Sequence, residues 1–187
     1  MRAWAVVVCV GCAPVAEKTG EAGVTDSGAP LEAPAASPVD AAAFSVCINE
    51  LMASNEVALV LDDGTTPDWL EVHNPSARDV SLDGWSVLNE SDGGTADLSG
   101  IGTLPAGAFL VLYADGSSQG GVHLPFTLQR EGGAVFLQRD DGGGDRIVYG
   151  ETQTDMAISR TTDCCASDDD GCFEGRFGGT PGWSNVE

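Results

Sequence analysis

The run Asp68-Trp69-Leu70-Glu71-Val72-His73-Asn74-Pro75 constrains this chain more than any other stretch. Large apolar and polar side chains alternate along it, as in a half-buried strand, and it stops at Asn-Pro, a dipeptide that opens turns. Val80, Leu82 and Trp85 follow at strand-like spacing across the turn signal Asp83-Gly84. Two short strands joined by a tight connection, each with a tryptophan, predict the centre of a β-sandwich with both indoles between its layers.

The flanking sequence extends the pattern. Phe44, Val46 and Ile48 fall on one side of an extended run, with Ser45, Cys47 and Asn49 opposite. Leu51 and Met52 break the alternation, which predicts a bulge near Glu50. Residues 57–61 are continuously apolar and fit either a strand or part of a long loop. A short, weak segment is expected at 96–101, and the most deeply buried strand at 108–113. Segments 124–128, 134–138 and 146–149 complete the set between turns rich in glycine and aspartate. With 25 Gly and 9 Pro among 187 residues and no window of helical period, the expected class is all-β, a sandwich or barrel.

Five stretches in order, Ile48-Asn49-Glu50-Leu51, Asp68 to Pro75, Val80-Ser81-Leu82-Asp83-Gly84-Trp85, Leu104-Pro105-Ala106-Gly107 and Thr180-Pro181-Gly182-Trp183-Ser184-Asn185, resemble the lamin tail domain. The resemblance implies an immunoglobulin-like β-sandwich, found in nuclear lamins and in many bacterial secreted proteins. Lacking a coiled-coil rod and a prenylation box, the chain resembles the stand-alone bacterial form. It implies an interaction module without catalysis, whose ligand the family does not name.

The amino terminus reads as a targeting segment. Arg2 precedes the apolar run Ala3 to Val10, and Gly11-Cys12 follows. The run is far shorter than the roughly 20 residues a bilayer span needs. A small residue before cysteine resembles the lipobox of bacterial lipoproteins, which makes residues 1–11 a signal peptide and Cys12 the lipidated first residue. Residues 12–43 are rich in Ala, Pro, Glu, Gly and Asp, with almost no large apolar side chain. Such a stretch buries too little to offset its ordering entropy, so a disordered spacer is expected there. The sandwich is expected over 44–187.

Charge narrows the partners. The 29 acidic residues against 8 basic ones give −21, which argues against nucleic acid and against an anionic membrane surface met through a basic face. Membrane attachment is expected only through lipid at Cys12. Export also explains the cysteines. Apart from Cys9 and Cys12, Cys47, Cys164, Cys165 and Cys172 remain, an even set that predicts two disulfides. A bridge between the adjacent Cys164 and Cys165 is ranked last. One of these two is expected to close a short loop with Cys172, and its neighbour to reach Cys47. A thiolate metal site lacks the paired C-x₂-C spacing.

Catalytic readings are weak. Gly116-Ser117-Ser118-Gln119-Gly120 fits G-x-S-x-G, yet that elbow needs a helix after the serine, and Gly121-Val122-His123-Leu124-Pro125 cannot open one. His73 is expected on a strand surface and His123 in a loop. Glu50, Asp68 and Glu71 could form an acid pair, but are better read as acceptors for loop amides. Calcium is the cofactor weighed most seriously: Asp62, Asp63 and Asp68, then Asp140, Asp141 and Asp145, and the run Asp168-Asp169-Asp170 cluster carboxylates in turns, though Asp-Gly turns form hairpins without an ion. No catalytic residue and no firm metal ligand is assigned. The chain is therefore expected to be an exported, lipid-anchored or secreted β-sandwich that binds a protein or envelope polymer. A calcium-dependent or carbohydrate-binding module, with Trp183 and Phe173 as the candidate aromatics, is the alternative.

Overall fold

The computed structural model describes residues 46–167 and 171–186. The expected start at Phe44, the signal, spacer and lipid site at Cys12, and Asp168-Asp169-Asp170 lie outside the described residues. Eleven strands follow in order: β1 (Cys47–Met52), β2 (Asp68–His73), β3 (Val80–Ser81), β4 (Trp85–Asn89), β5 (Thr95–Asp97), β6 (Thr103–Leu104), β7 (Phe109–Ala114), β8 (Gly133–Arg139), β9 (Gly144–Tyr149), β10 (Met156–Arg160) and β11 (Phe173–Phe177). They form a five-stranded sheet in the order β11-β10-β1-β2-β7, a four-stranded sheet in the order β5-β4-β8-β9, and a β3-β6 ribbon. This is the expected all-β, immunoglobulin-like sandwich.

Its core lies between the two larger sheets. Ile48, Leu51, Leu70, Val72 and Leu112 meet Trp85, Val87, Val135, Leu137 and Ile147, every one almost fully buried. Burying a Leu, Ile or Val side chain contributes roughly 1.5–3 kcal/mol each, so this layer carries most of the fold's stability.

The bulge falls where the broken alternation placed it. Ile48 pairs with Val72 but Glu50 pairs with Glu71, so Asn49 is the extra residue on β1. The extra residue turns Leu51 inward with Leu70, and Glu50 and Met52 outward with Glu71 and Trp69.

Trp69 departs from expectation. Trp85 lies in the core, but Trp69 packs with Met52 and Ala157 on the outer face of the five-stranded sheet. The two tryptophan strands are not a hairpin either: β2 and β4 belong to different sheets. The alternation of 68–73 was sound, but it could not show that both faces of β2 are covered. Ala58 and Leu59 of the 53–67 loop roof Trp69, together with the backbone at Gly179.

Of the two readings open for residues 57–61, the loop is the one that forms, because Asp155 takes the amides of Glu56, Val57 and Ala58 at 2.8, 2.9 and 3.1 Å. Two further differences have local causes. Segment 124–128 buries Leu124, Phe126 and Leu128 but forms no ladder, since Pro125 has no N–H to give. Strand β7 is only half-buried over most of its length, because it stands at the end of its sheet.

Candidate functional site

The stretches that carry the family resemblance meet in two places. At the first, Asn74 turns the chain after β2. Its Nδ2 donates to the carbonyls of Arg78, Leu104 and Pro105 at 2.9–3.0 Å, and its main-chain carbonyl accepts from Gly107 N at 2.9 Å. Asn-Pro and Leu-Pro-Ala-Gly are therefore two halves of one turn assembly.

At the second, Glu50 and Glu71 face outward side by side, under the carboxy-terminal segment. Glu50 Oε2 accepts from Thr180 N at 2.8 Å, and its Oε1 takes the Ser159 hydroxyl. Glu71 Oε2 accepts from Gly182 N at 2.6 Å and its Oε1 from Asn49 Nδ2 at 3.1 Å. Asn49 also donates to Asp163, and Asn185 Nδ2 donates to the Asn49 carbonyl. Burial pushes the Glu71 carboxyl up to about 8, with the Glu50 and Asp163 charges adding to it. Burial also raises Glu50, against the hydrogen bond from Ser159.

The acid pair thus forms, but both members serve loop amides. A general acid or base must keep an oxygen free toward a substrate, and Thr180 and Gly182 cover these. Asp68 does not join them: it caps Asn55 N at 2.9 Å, and burial raises its carboxyl.

The other aspartates are spread apart. Asp63 caps Thr65, whose hydroxyl and amide hold its carboxyl below the ordinary range, while Asp62 is exposed in the same turn. Asp141 pairs with Arg139, which lowers it, and Asp140 stands beside Gly84. Asp145 is buried on β9, where it accepts from Ile48 N at 2.8 Å and binds Arg160 Nη2 at 2.6 Å. That ion pair ties β9, at the edge of the four-stranded sheet, to β10 of the five-stranded one. Among the described residues, no three His, Cys, Asp or Glu side chains converge as a metal set.

His73 is buried, contrary to the surface position expected. It stacks on Phe109 at 4.0 Å and bonds the Ala108 carbonyl at 3.1 Å, and burial lowers its pKa. His123 sits in a loop as expected, with Nδ1 2.6 Å from Asp115. Ser118 is exposed in that loop, and no helix follows it.

The cysteines pair as Cys47–Cys164 and Cys165–Cys172. This resolves which of the adjacent cysteines reaches β1. Arg160 sits between Asp145 and Cys172, with its guanidinium carbon 4.8 Å over the Phe173 ring.

The open surface lies on the other sheet. Across its outer face Thr95, Leu88, Phe136 and Arg146 stand in one row, with Ser86 beside Gln138 and Ala134 beside Val148. Arg146 lies over the Phe136 ring at 4.8 Å and reaches Glu90 at 3.5 Å. Val148 is 59% exposed. A hollow of about 390 Å³ opens between Glu90, Gly133, Arg146 and Val148. Sequence reasoning missed this surface, because its side chains alternate with core residues and carry no motif.

Among the described residues, no helix is long and apolar enough to cross a membrane. A family model, Lamin Tail Domain, matches residues 40–153, more than half the chain. No curated protein matches it.

Proposed function

Because this chain belongs to the lamin tail domain family, we propose that it is an exported, non-catalytic interaction module, tethered at the bacterial cell envelope by lipid on Cys12. Its partner is a protein or surface polymer met by the open face of the four-stranded sheet. The family is an immunoglobulin-like interaction fold, and two disulfides suit an oxidising compartment.

One observation carries the reading: the two sheets treat their outer faces differently. The five-stranded sheet hides its outer face beneath the 53–67 loop and the carboxy-terminal segment. Its counterpart leaves Val148 uncovered and Leu88 and Phe136 half-covered, among polar Ser86, Gln138 and Arg146. An apolar centre with a polar rim and an arginine over an aromatic ring is the composition of a docking surface.

The test is a photo-crosslinking residue placed at Val148 or Phe136 in cells, with the exposed loop residue Ser118 as the control. Adducts at the two face positions and none at Ser118 support the reading; equal labelling at all three overturns it. Mass spectrometry of the mature amino terminus tests the anchor. A di- or triacylated Cys12 is expected, and an unmodified terminus further along refutes it.

A carbohydrate-binding role has one observation in its favour: Trp183 is 57% exposed. Phe173 gives it no support, being packed under Arg160. Glycan-array binding that Trp183→Ala abolishes would favour this second reading.

A further inference from the structure

Strand β11 ends the five-stranded sheet, and among the described residues nothing pairs with its outer side. The other ends are protected. Main-chain bonds from Tyr113 N to Val122 O at 2.7 Å and from Leu124 N to Tyr113 O at 2.8 Å cover the carboxy-terminal end of β7. Strand β9 turns the charged Asp145 inward, and β5 is three residues long. Natural sheets blunt their edges with such devices, and β11 has no proline, no bulge and no inward charge, only the exposed pair of Glu174 and Arg176, 3.2 Å apart along the strand.

The phase of its backbone follows from its pairing with β10. Thr161 N donates to Cys172 O at 2.7 Å and Gly178 N to Asp155 O at 2.8 Å, flanking the ladder at both ends. Bonding alternates along an antiparallel pair, so Glu174 and Arg176 aim their main-chain groups at β10. Phe173, Gly175 and Phe177 therefore aim theirs outward.

The sequence of this edge, Phe173-Glu174-Gly175-Arg176-Phe177, is a charge palindrome. Placed antiparallel to itself about Gly175, it sets Glu174 opposite Arg176 twice and Phe173 opposite Phe177 twice. The residues that meet as hydrogen-bonding pairs are then the three whose main-chain groups are free. Phe177 is 68% exposed, on the face where the five-stranded sheet overhangs its counterpart, and so has an uncovered ring to contribute. At the centre Gly175 presents no side chain, and a Cβ there would sit 2.8 Å from Met156 Sδ.

We propose that a second copy of this chain pairs antiparallel with the free edge of β11, about a twofold axis through Gly175, making one continuous ten-stranded sheet across the dimer. The interface is isologous, so each opposite-charge pair occurs twice. Opposite charges directly across a strand pair stabilise it, and like charges there destabilise it. The seam is short, so the dimer dissociates in the micromolar range.

Sedimentation of the purified full chain tests this. The wild type is expected to pass from monomer to dimer with rising concentration. Glu174→Arg alone, or Arg176→Glu alone, sets like charges across the seam and should leave the protein monomeric with an unchanged melting curve. Mixing these two variants should restore the dimer, since each then supplies the charge the other lacks; the double variant should also dimerise. A wild type that stays monomeric up to its solubility limit overturns the proposal, as does a dimer that survives Glu174→Arg.

Discussion

Glu50 and Glu71 stand directly opposite each other on β1 and β2, and both accept main-chain amides from one segment, Thr180 and Gly182. Two buried carboxyls side by side cannot both ionise cheaply. Burial therefore keeps the proton on Glu71 well above the usual carboxylate range, while the Gly182 and Asn49 donors that grip it pull the other way.

Stability should consequently fall as pH rises. Glu71 has an ordinary value of 4.5 and is pushed up to about 8 in the fold, so the folded state holds a proton that the unfolded chain releases. The folded state binds more protons between those values, so stability is full below 4.5 and declines toward 8. Glu50 is also raised and adds in the same direction. His73 is lowered from 6.5 and acts oppositely below that value, which leaves the interval from 6.5 to 8 cleanest. Melting temperatures across this interval should drop in the wild type and flatten in Glu71→Gln. A wild-type slope that Glu71→Gln leaves unchanged would contradict the assignment.

The two disulfides should differ in weight. Cys47–Cys164 spans 117 residues and Cys165–Cys172 spans 7. Loop-closure entropy assigns them about 5 and about 2.4 kcal/mol respectively. In urea unfolding, paired serine replacement of the first bridge should lower stability about twice as much as replacement of the second.

Asp145 and Arg160 form a buried pair between the sheets, with side chains 2% and 1% exposed. Asp145→Ala leaves the guanidinium unpaired and the Ile48 amide without its acceptor, at a cost of about 3–5 kcal/mol. The double variant Asp145→Ala with Arg160→Met should cost less than Asp145→Ala alone. A double-mutant cycle by chemical denaturation gives the coupling.

Gly179 has φ +62, and a Cβ there would lie 2.9 Å from the Trp69 ring. Gly178 has φ +81 and open space. Both alanine variants pay for the left-handed backbone, but only Gly179→Ala displaces the indole. It should melt lower than Gly178→Ala and shift the tryptophan emission, which Gly178→Ala should not.

Much of this was legible in the residues. Period-two alternation found β1 and β2, glycine- and aspartate-rich turns bracketed β8 and β9, and the interruption at Leu51-Met52 located the bulge. Other parts were not legible, because they depend on long-range contact. Alternation in β2 shows that its side chains divide between two faces, but not that Trp69 lies beneath a roof brought in from Gly179. Strands β10 and β11 were missed: Met-Ala-Ile-Ser-Arg reads as a strand only beside β1, and Phe-Glu-Gly-Arg-Phe only beside β10. The role of Glu50 and Glu71 as amide acceptors was readable as chemistry. Which amides they accept was not, since more than a hundred residues separate each from its donor.

Strand β1 occupies the middle of its sheet, yet one of its two neighbours, β10, is encoded near the other end of the chain. A polypeptide crossing a membrane amino end first would deliver β1 long before β10 emerges. During that wait Cys47 has no partner thiol at hand, and the core side chains of β1 lack half their cover. Folding is thus gated by completion: a chain cut short before β10 leaves one side of β1 unpaired, and any protease would meet it open.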